Sequence, residues 1–197
     1  MKHIFRKENL DKPTFLLLHG TGGDEKDLLA LAHFIQPEYN VLSVRGEVNE
    51  NGMNRFFKRL SEGVFDEVDL VYRTHQLKEF IDQASIDYGF DKKHVIALGY
   101  SNGANIAGSL LFHYSDMFEK AILLHPMVPI RKELPDLSRV SVFIGAGKND
   151  PICPPEESIG LNKLLTSANA SVTLHWENNG HRISESELNA VKKWLKQ

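Results

Sequence analysis

The sequence predicts an α/β fold, a mostly parallel sheet with helices on both faces and no large cap domain. Two observations predict the layers. Short apolar runs alternate with longer amphipathic ones along the chain, the order of repeated strand–helix units. The short runs are continuously apolar, as in strands covered on both sides. A third observation bounds the size. The chain has 197 residues and no internal repeat, which fits one domain over 1–197.

Each element follows in order. Residues His3 to Arg6 suit a short edge strand. "TFLLLH" (Thr14 to His19) reads as a buried strand. "DEKDLLALAHFI" reads as a helix with Leu28, Leu31, Ala32 and Ile35 on one face. "NVLSVR" (Asn40 to Arg45) is the next strand. Residues Asp69 to Tyr88 read as a long helix, with Leu70, Leu77, Phe80, Ile81 and Ala84 supplying most of its apolar face. "HVIALGY", "KAILLHP", "VSVFIGAG" and "SVTLHW" are four further strands. Helices are expected at Ala104 to Tyr114, Glu156 to Ser167 and Glu185 to Lys196. Right-handed crossovers make this a doubly wound sheet, and in such sheets functional groups gather at the carboxyl ends of the strands.

The totals exclude several classes. The net charge of −3 gives no electrostatic footprint for nucleic acid or an anionic membrane. No apolar stretch reaches the ~20 residues that span a bilayer, and "MKHIFRKENLDKP" lacks the apolar centre of a signal peptide. One cysteine, Cys153, allows no internal disulfide. These features predict a cytoplasmic protein, in which the sequon Asn169-Ala170-Ser171 is a chance match. No H-E-x-x-H or Cys/His cluster suggests a metal, and no cofactor is expected.

The strand ends carry the chemistry. Gly99-Tyr100-Ser101-Asn102-Gly103 is the G-x-S-x-G pattern. After a strand and before a helix, it places the serine on a sharp, strained turn with its hydroxyl above the sheet. Any side chain at Gly99 or Gly103 would clash there. The helix N-terminus behind it favours developing negative charge. A serine hydroxyl needs a base, and the base needs an orienting acid. Among nine histidines, His181 stands in "ENNGHRIS" after the last strand. Asp150 ends "VFIGAGKND". The order Ser101, Asp150, His181 is the order of serine hydrolases built on such a sheet. The competing readings are a turn aspartate before proline and a plain loop histidine. His75 and His113 sit in helical patterns, and His125 is locked before Pro126.

An oxyanion needs two N–H donors. One is expected from Asn102, after the serine. The other is expected from Thr21 in His19-Gly20-Thr21-Gly22-Gly23, where glycines allow close approach. A phosphate-binding loop is the rival reading, but the lysine and hydroxyl of G-x-x-x-x-G-K-[ST] are missing.

With these residues in hand, the chain resembles the phospholipase/carboxylesterase family of small α/β-hydrolases. The matching pieces are "LLLHGTGGDEKDLL", "SVRGEVNENGMNRFF", "EGVFDEVDL", "GYSNGANIAGSLL", "LHPMVP", "GKNDPICPPEES" and "NGHRIS", from about Thr14 to Ser184. Short bacterial hydrolases associated with methylhydroquinone resistance are the most similar group. The resemblance implies an α/β-hydrolase fold with Ser101 as nucleophile, Asp150 as acid, His181 as base, and Thr21 and Asn102 as oxyanion donors. It makes a homodimer a candidate assembly. The chain is near the minimum length for the fold, which argues against recognition of long acyl chains.

"GEVNENGMNRFFKRLSEGVFDEVD" is long for a connection. It reads either as a lid or rim near Ser101 or as a short amphipathic helix packed on the sheet. Met53 and Phe56 from it, with Met127, are the expected substrate contacts. Arg45 and Arg55 either hold a carboxylate or phosphate or pair with Glu47 or Glu50. Cys153 is either exposed to electrophiles or inert. The function that follows is a serine carboxylesterase acting on small esters or thioesters through an acyl-enzyme. The alternatives are a hydrolase of aromatic ring-cleavage or quinone-derived products, an acyl-protein thioesterase or lysophospholipase, and a non-catalytic binder.

Overall fold

The computed structural model describes residues 1–197. Seven strands form the central sheet: β1 (His3–Arg6), β2 (Thr14–Leu18), β3 (Asn40–Val44), β8 (Val95–Tyr100), β9 (Lys120–Leu124), β10 (Ser141–Gly147) and β11 (Ser171–Glu177). Their order is β1-β3-β2-β8-β9-β10-β11. β1 runs antiparallel to β3 and every other pairing is parallel.

The strands are apolar throughout because both faces are covered. Successive residues split between two cores, following the two-residue period of a strand. Leu16, Leu18, Val95 and Ala97 join one core. Phe15, Leu17, Ile96 and Leu98 join the other. The helices α2 (Glu67–Tyr88), α3 (Asn102–His113) and α4 (Pro155–Ser167) cover the first face. The helices α1 (Leu29–Ile35) and α5 (Glu185–Trp194) cover the second. No helix is long and apolar enough to cross a membrane.

Helix ends follow local chemistry. Asp66 caps α2 by accepting from the Asp69 N–H, and Gly89 ends that helix at φ 73°, a conformation glycine adopts without steric cost. α3 is buried from Asn102 to Phe112. Thr74 on α2 and Ser109 on α3 satisfy each other there, with hydroxyls 2.7 Å apart.

Two stretches differ from expectation. The helix foreseen from Asp24 begins only at Leu29, because Glu25–Leu28 forms turns, with Asp24 Oδ1 accepting from the Lys26 N–H. Such local bonds compete with helix formation. The long connection between β3 and α2 is neither an amphipathic helix nor a single loop. It forms two small hairpins, β4 (Val48–Glu50) with β5 (Met53–Arg55), and β6 (Arg59–Ser61) with β7 (Val64–Phe65). Asn51 and Gly52 at the first tip both have positive φ, as a tight two-residue hairpin turn requires.

Candidate active site

Ser101 occupies the corner between β8 and α3 at φ 51°, ψ −113°, a costly conformation for a residue with a side chain. Its N–H donates to Leu124 O at 2.9 Å. The neighbouring glycines permit the corner. A Cβ on Gly103 would lie 1.9 Å from Leu18 O, and one on Gly99 would lie 2.5 Å from Gly103 O. The expected clashes are present at both positions.

His181 Nε2 lies 2.9 Å from Ser101 Oγ. Its Nδ1 lies 2.7 Å from Asp150 Oδ2. A carboxylate oxygen only accepts, so Nδ1 carries the proton and Nε2 offers its lone pair to the serine. Asp150 is buried, and its Oδ1 accepts from the N–H groups of Ile152 (2.8 Å) and Cys153 (2.9 Å). Burial by itself would raise its carboxyl. The Cys153 N–H, His181, the Ile152 N–H and His125 outweigh it and hold the carboxyl below its ordinary range. Three polar strand ends, distant in sequence, thus form one hydrogen-bonded line.

The His181 loop is tied on both sides. Tyr100 Oη donates to His181 O at 2.5 Å. The Gly180 N–H donates to Asn149 Oδ1 at 3.0 Å. Gly147 has no room for a side chain because its Cβ would lie 2.3 Å from Gly180 O.

The loop that carries Thr21 is held by His19, which is buried. His19 Nδ1 donates to Gly20 O at 2.6 Å, and Nε2 accepts from the Gly46 N–H at 3.0 Å. Both bonds suit the neutral ring, and burial lowers its basicity. The Thr21 N–H is absent from the loop's backbone bonds. Asn102 opens α3, so its N–H has no acceptor one turn back. Thr21 and Asn102, the two expected donors, line one cavity with Ser101.

A cavity of 330 Å³ opens above the serine, lined in part by Thr21, Met53, Phe65, Ser101, Met127 and His181. Met53 and Met127 line it as expected, and the two hairpins supply its rim. Phe56 does not line it. Its ring is buried and stacks obliquely on His19 at 4.8 Å, in the bend that follows β5. Cys153 is buried, and its Sγ donates to His125 O at 3.2 Å. Burial pushes its thiol up, so it is an inert thiol. Arg45 pairs with Glu25 (2.5 Å) and Asp24 (3.0 Å) rather than with Glu47 or Glu50. Arg55 does line the cavity.

Two residues in this cluster escaped sequence reasoning. His125, set aside as locked before a proline, has φ 53°, is buried, and places Nδ1 3.0 Å from Asp150 Oδ2. Behind it, Glu187 of α5 is fully buried with its Oε2 3.5 Å from His125 Nε2. The available signal was Ser184-Glu185-Ser186-Glu187, a capping-box spacing that gives no hint of a buried carboxylate.

Comparison with known proteins identifies the family. The family model described as Phospholipase/Carboxylesterase matches residues 1–197. MhqD of Bacillus subtilis (strain 168), provisionally described as a hydrolase, is 57% identical over 198 residues, covering 100% of this chain and 98% of that one. The crystal structure of a Bacillus cereus carboxylesterase is 56% identical, with TM-score 0.98 over 100% of this chain and 93% of that chain. The structure of YahD with malic acid is 32% identical, with TM-score 0.92 over 99% and 98%. The chain therefore belongs to the phospholipase/carboxylesterase family and has the α/β-hydrolase fold.

Proposed function

We propose that the protein is a serine carboxylesterase that hydrolyses small carboxylic esters through an acyl-enzyme. The observation that carries this reading is the line Ser101 Oγ, His181 Nε2, Asp150 Oδ2, with steps of 2.9 and 2.7 Å. His181 takes the hydroxyl proton as Ser101 Oγ attacks the ester carbonyl carbon. The carbonyl oxygen becomes an oxyanion between the N–H groups of Thr21 and Asn102. His181 then passes its proton to the departing alkoxide oxygen, which leaves as the alcohol. Water, deprotonated by His181, releases the acid and restores Ser101. Asp150 holds the ring in the required tautomer and stabilises its charged form.

The modest cavity supports small esters over long acyl chains. The composition and family support a cytoplasmic enzyme acting on a small molecule. The test is hydrolysis of short p-nitrophenyl esters by the wild type and Ser101→Ala. The reading expects a loss of several orders of magnitude, together with loss of fluorophosphonate labelling. Equal activity in both would overturn it.

One observation favours a narrower substrate class, esters that carry a second acidic group. Arg55 is buried, yet lines the cavity. Its Nη1 donates to Thr21 Oγ1 at 2.9 Å, and its Nε to Phe57 O at 3.3 Å. Glu50 lies 3.5 Å away and also binds Arg59. Burial and then Arg59 lower the guanidinium's affinity for its proton, so a bound carboxylate would relieve both costs. Malic acid in the YahD structure is a small diacid of this kind. Under this reading, wild type prefers mono-p-nitrophenyl succinate to p-nitrophenyl acetate, and Arg55→Met loses that preference. An equal loss on both esters would argue that Arg55 only shapes the loop.

A further inference from the structure

A second imidazole–carboxylate pair lies directly behind the Ser101, His181, Asp150 line. His125 and Glu187 are both fully buried. Neither Glu187 oxygen has a hydrogen-bond partner, nor has His125 Nε2. His125 Nε2 and Glu187 Oε2 face each other at 3.5 Å. A lone carboxylate in a dry interior is costly unless a cation or a proton meets it.

The fold makes room for this pair at several points. His125 takes a left-handed backbone conformation, fixed by its N–H to Gly145 O at 2.7 Å and by the Cys153 thiol on its carbonyl. Ser101 and His125 end adjacent parallel strands, and both are strained. The other non-glycine residues with positive φ are asparagines, which tolerate that region. Gly145 leaves the space Glu187 fills, since a Cβ there would lie 2.0 Å from Glu187 Oε1. Ser184 caps α5 by accepting from the Glu187 N–H at 3.0 Å. A capping-box glutamate would turn back to the Ser184 N–H. Glu187 runs inward to His125 instead.

Asp150 Oδ2 receives both rings, His181 at 2.7 Å and His125 at 3.0 Å. Nδ1–H of His125 must therefore point at Asp150. One proton remains between His125 Nε2 and Glu187.

We propose that His125 and Glu187 are positioning residues for the hydrolysis, with His125 held as an imidazolium between two carboxylates so that it limits how strongly Asp150 can retain charge on the His181 ring. The proposal rests on the triad reading above. Burial opposes a charged His125, but Glu187 and Asp150 together outweigh it and raise the ring's proton affinity. The other ionisable groups facing the ring are few. Tyr100 lies with its ring centroid 6.0 Å away, and burial with the nearby acids keeps its hydroxyl protonated. The Cys153 thiol is also neutral. The His181 ring lies 5.3 Å away.

Glu187→Gln keeps the shape and removes the countercharge. In the wild type, nitrogen-15 spectra of labelled histidine should show both His125 ring nitrogens protonated at pH 7.5. In Glu187→Gln, Nε2 should lose its proton and Nδ1–H remain. Asp150 then faces a weaker donor and holds charge on His181 more tightly. The acid limb of the kcat/KM profile should move to higher pH by about one unit, with KM little changed. A purely structural role would lower the melting temperature without moving the limb. If Glu187→Gln does not fold, the neutral pair His125→Gln with Glu187→Gln is expected to show the same limb shift. An unshifted limb, or a His125 already neutral in wild type, overturns the proposal. Ser101→Ala separates the two failures: full activity there would defeat the triad reading and this one with it.

Discussion

The Phe56 N–H donates to Asn102 Oδ1 at 2.7 Å. The residue after the serine is thereby tied to the hairpin that rims the cavity. Two segments 46 residues apart hold each other in place. Asn105 repeats the device one helical turn on, accepting from the Met127 N–H at 2.8 Å. The cavity wall is built by the same helix that presents Ser101.

Asn102→Ala should therefore cost more than a surface change. It leaves the Phe56 N–H buried without an acceptor, a penalty of about 1–3 kcal/mol. The backbone N–H toward the oxyanion is retained, so activity should fall without vanishing. Chemical denaturation and ester hydrolysis of the same variant check this. Unchanged stability would mean that the hairpin is held by its other contacts.

Gly103→Ala and Gly160→Ala should move stability in opposite directions. At Gly103 a Cβ would meet Leu18 O at 1.9 Å and His19 O at 2.6 Å, both backbone atoms at the end of β2. Parting them should cost about 3 kcal/mol. Gly160 lies inside α4, where a Cβ meets Val128 Cγ2 at an ordinary 3.5 Å. Alanine there should add about 0.5–1 kcal/mol through helix propensity. Paired melting curves read both signs.

Tyr100→Phe removes the donor to His181 O and leaves the ring in place. The expected result is a kcat/KM lower by about two- to tenfold, the value of one neutral hydrogen bond. Wild-type kinetics would show that Asn149 and Gly180 alone hold the loop.

Acid stability should carry the signature of Glu25. This carboxylate is buried against Arg45 and near Lys2. Burial alone would raise it, yet Arg45 chiefly holds it at about 2 against an ordinary 4.5. A depressed carboxyl stabilises the fold above its unfolded value and loses that contribution as the pH falls through the folded value. The melting-temperature gap between wild type and Glu25→Gln should be constant above about pH 5 and close between 4.5 and 2. A gap that persists at pH 2 would contradict the pairing.

Much of this molecule was legible in one dimension. Continuously apolar runs such as Phe15 to Leu18 marked buried strands, because burial on both faces leaves no polar position. Glycine spacing around Ser101 marked the corner, because only glycine fits at Gly99 and Gly103. Chain order then pointed to Asp150 and His181, and the fold brings His181 within hydrogen-bond distance of both Asp150 and the serine. The tertiary structure alone decided the rest. The segment from Gly46 to Asp66 has mixed charge and aromatic residues, and its two hairpins are anchored from outside it, by Asn102 far away in sequence and by Asp69 at the start of α2. Phe56 and Met53 look alike as apolar residues in that segment, and only the bend after β5 sends one to the core while the other faces the cavity. Glu187 carries the spacing of a helix cap, and His125 reads as a histidine stalled before proline. Their pairing exists because parallel packing of β9 and β10 beneath α5 encloses a space at Gly145, and long-range enclosure leaves no local pattern in sequence.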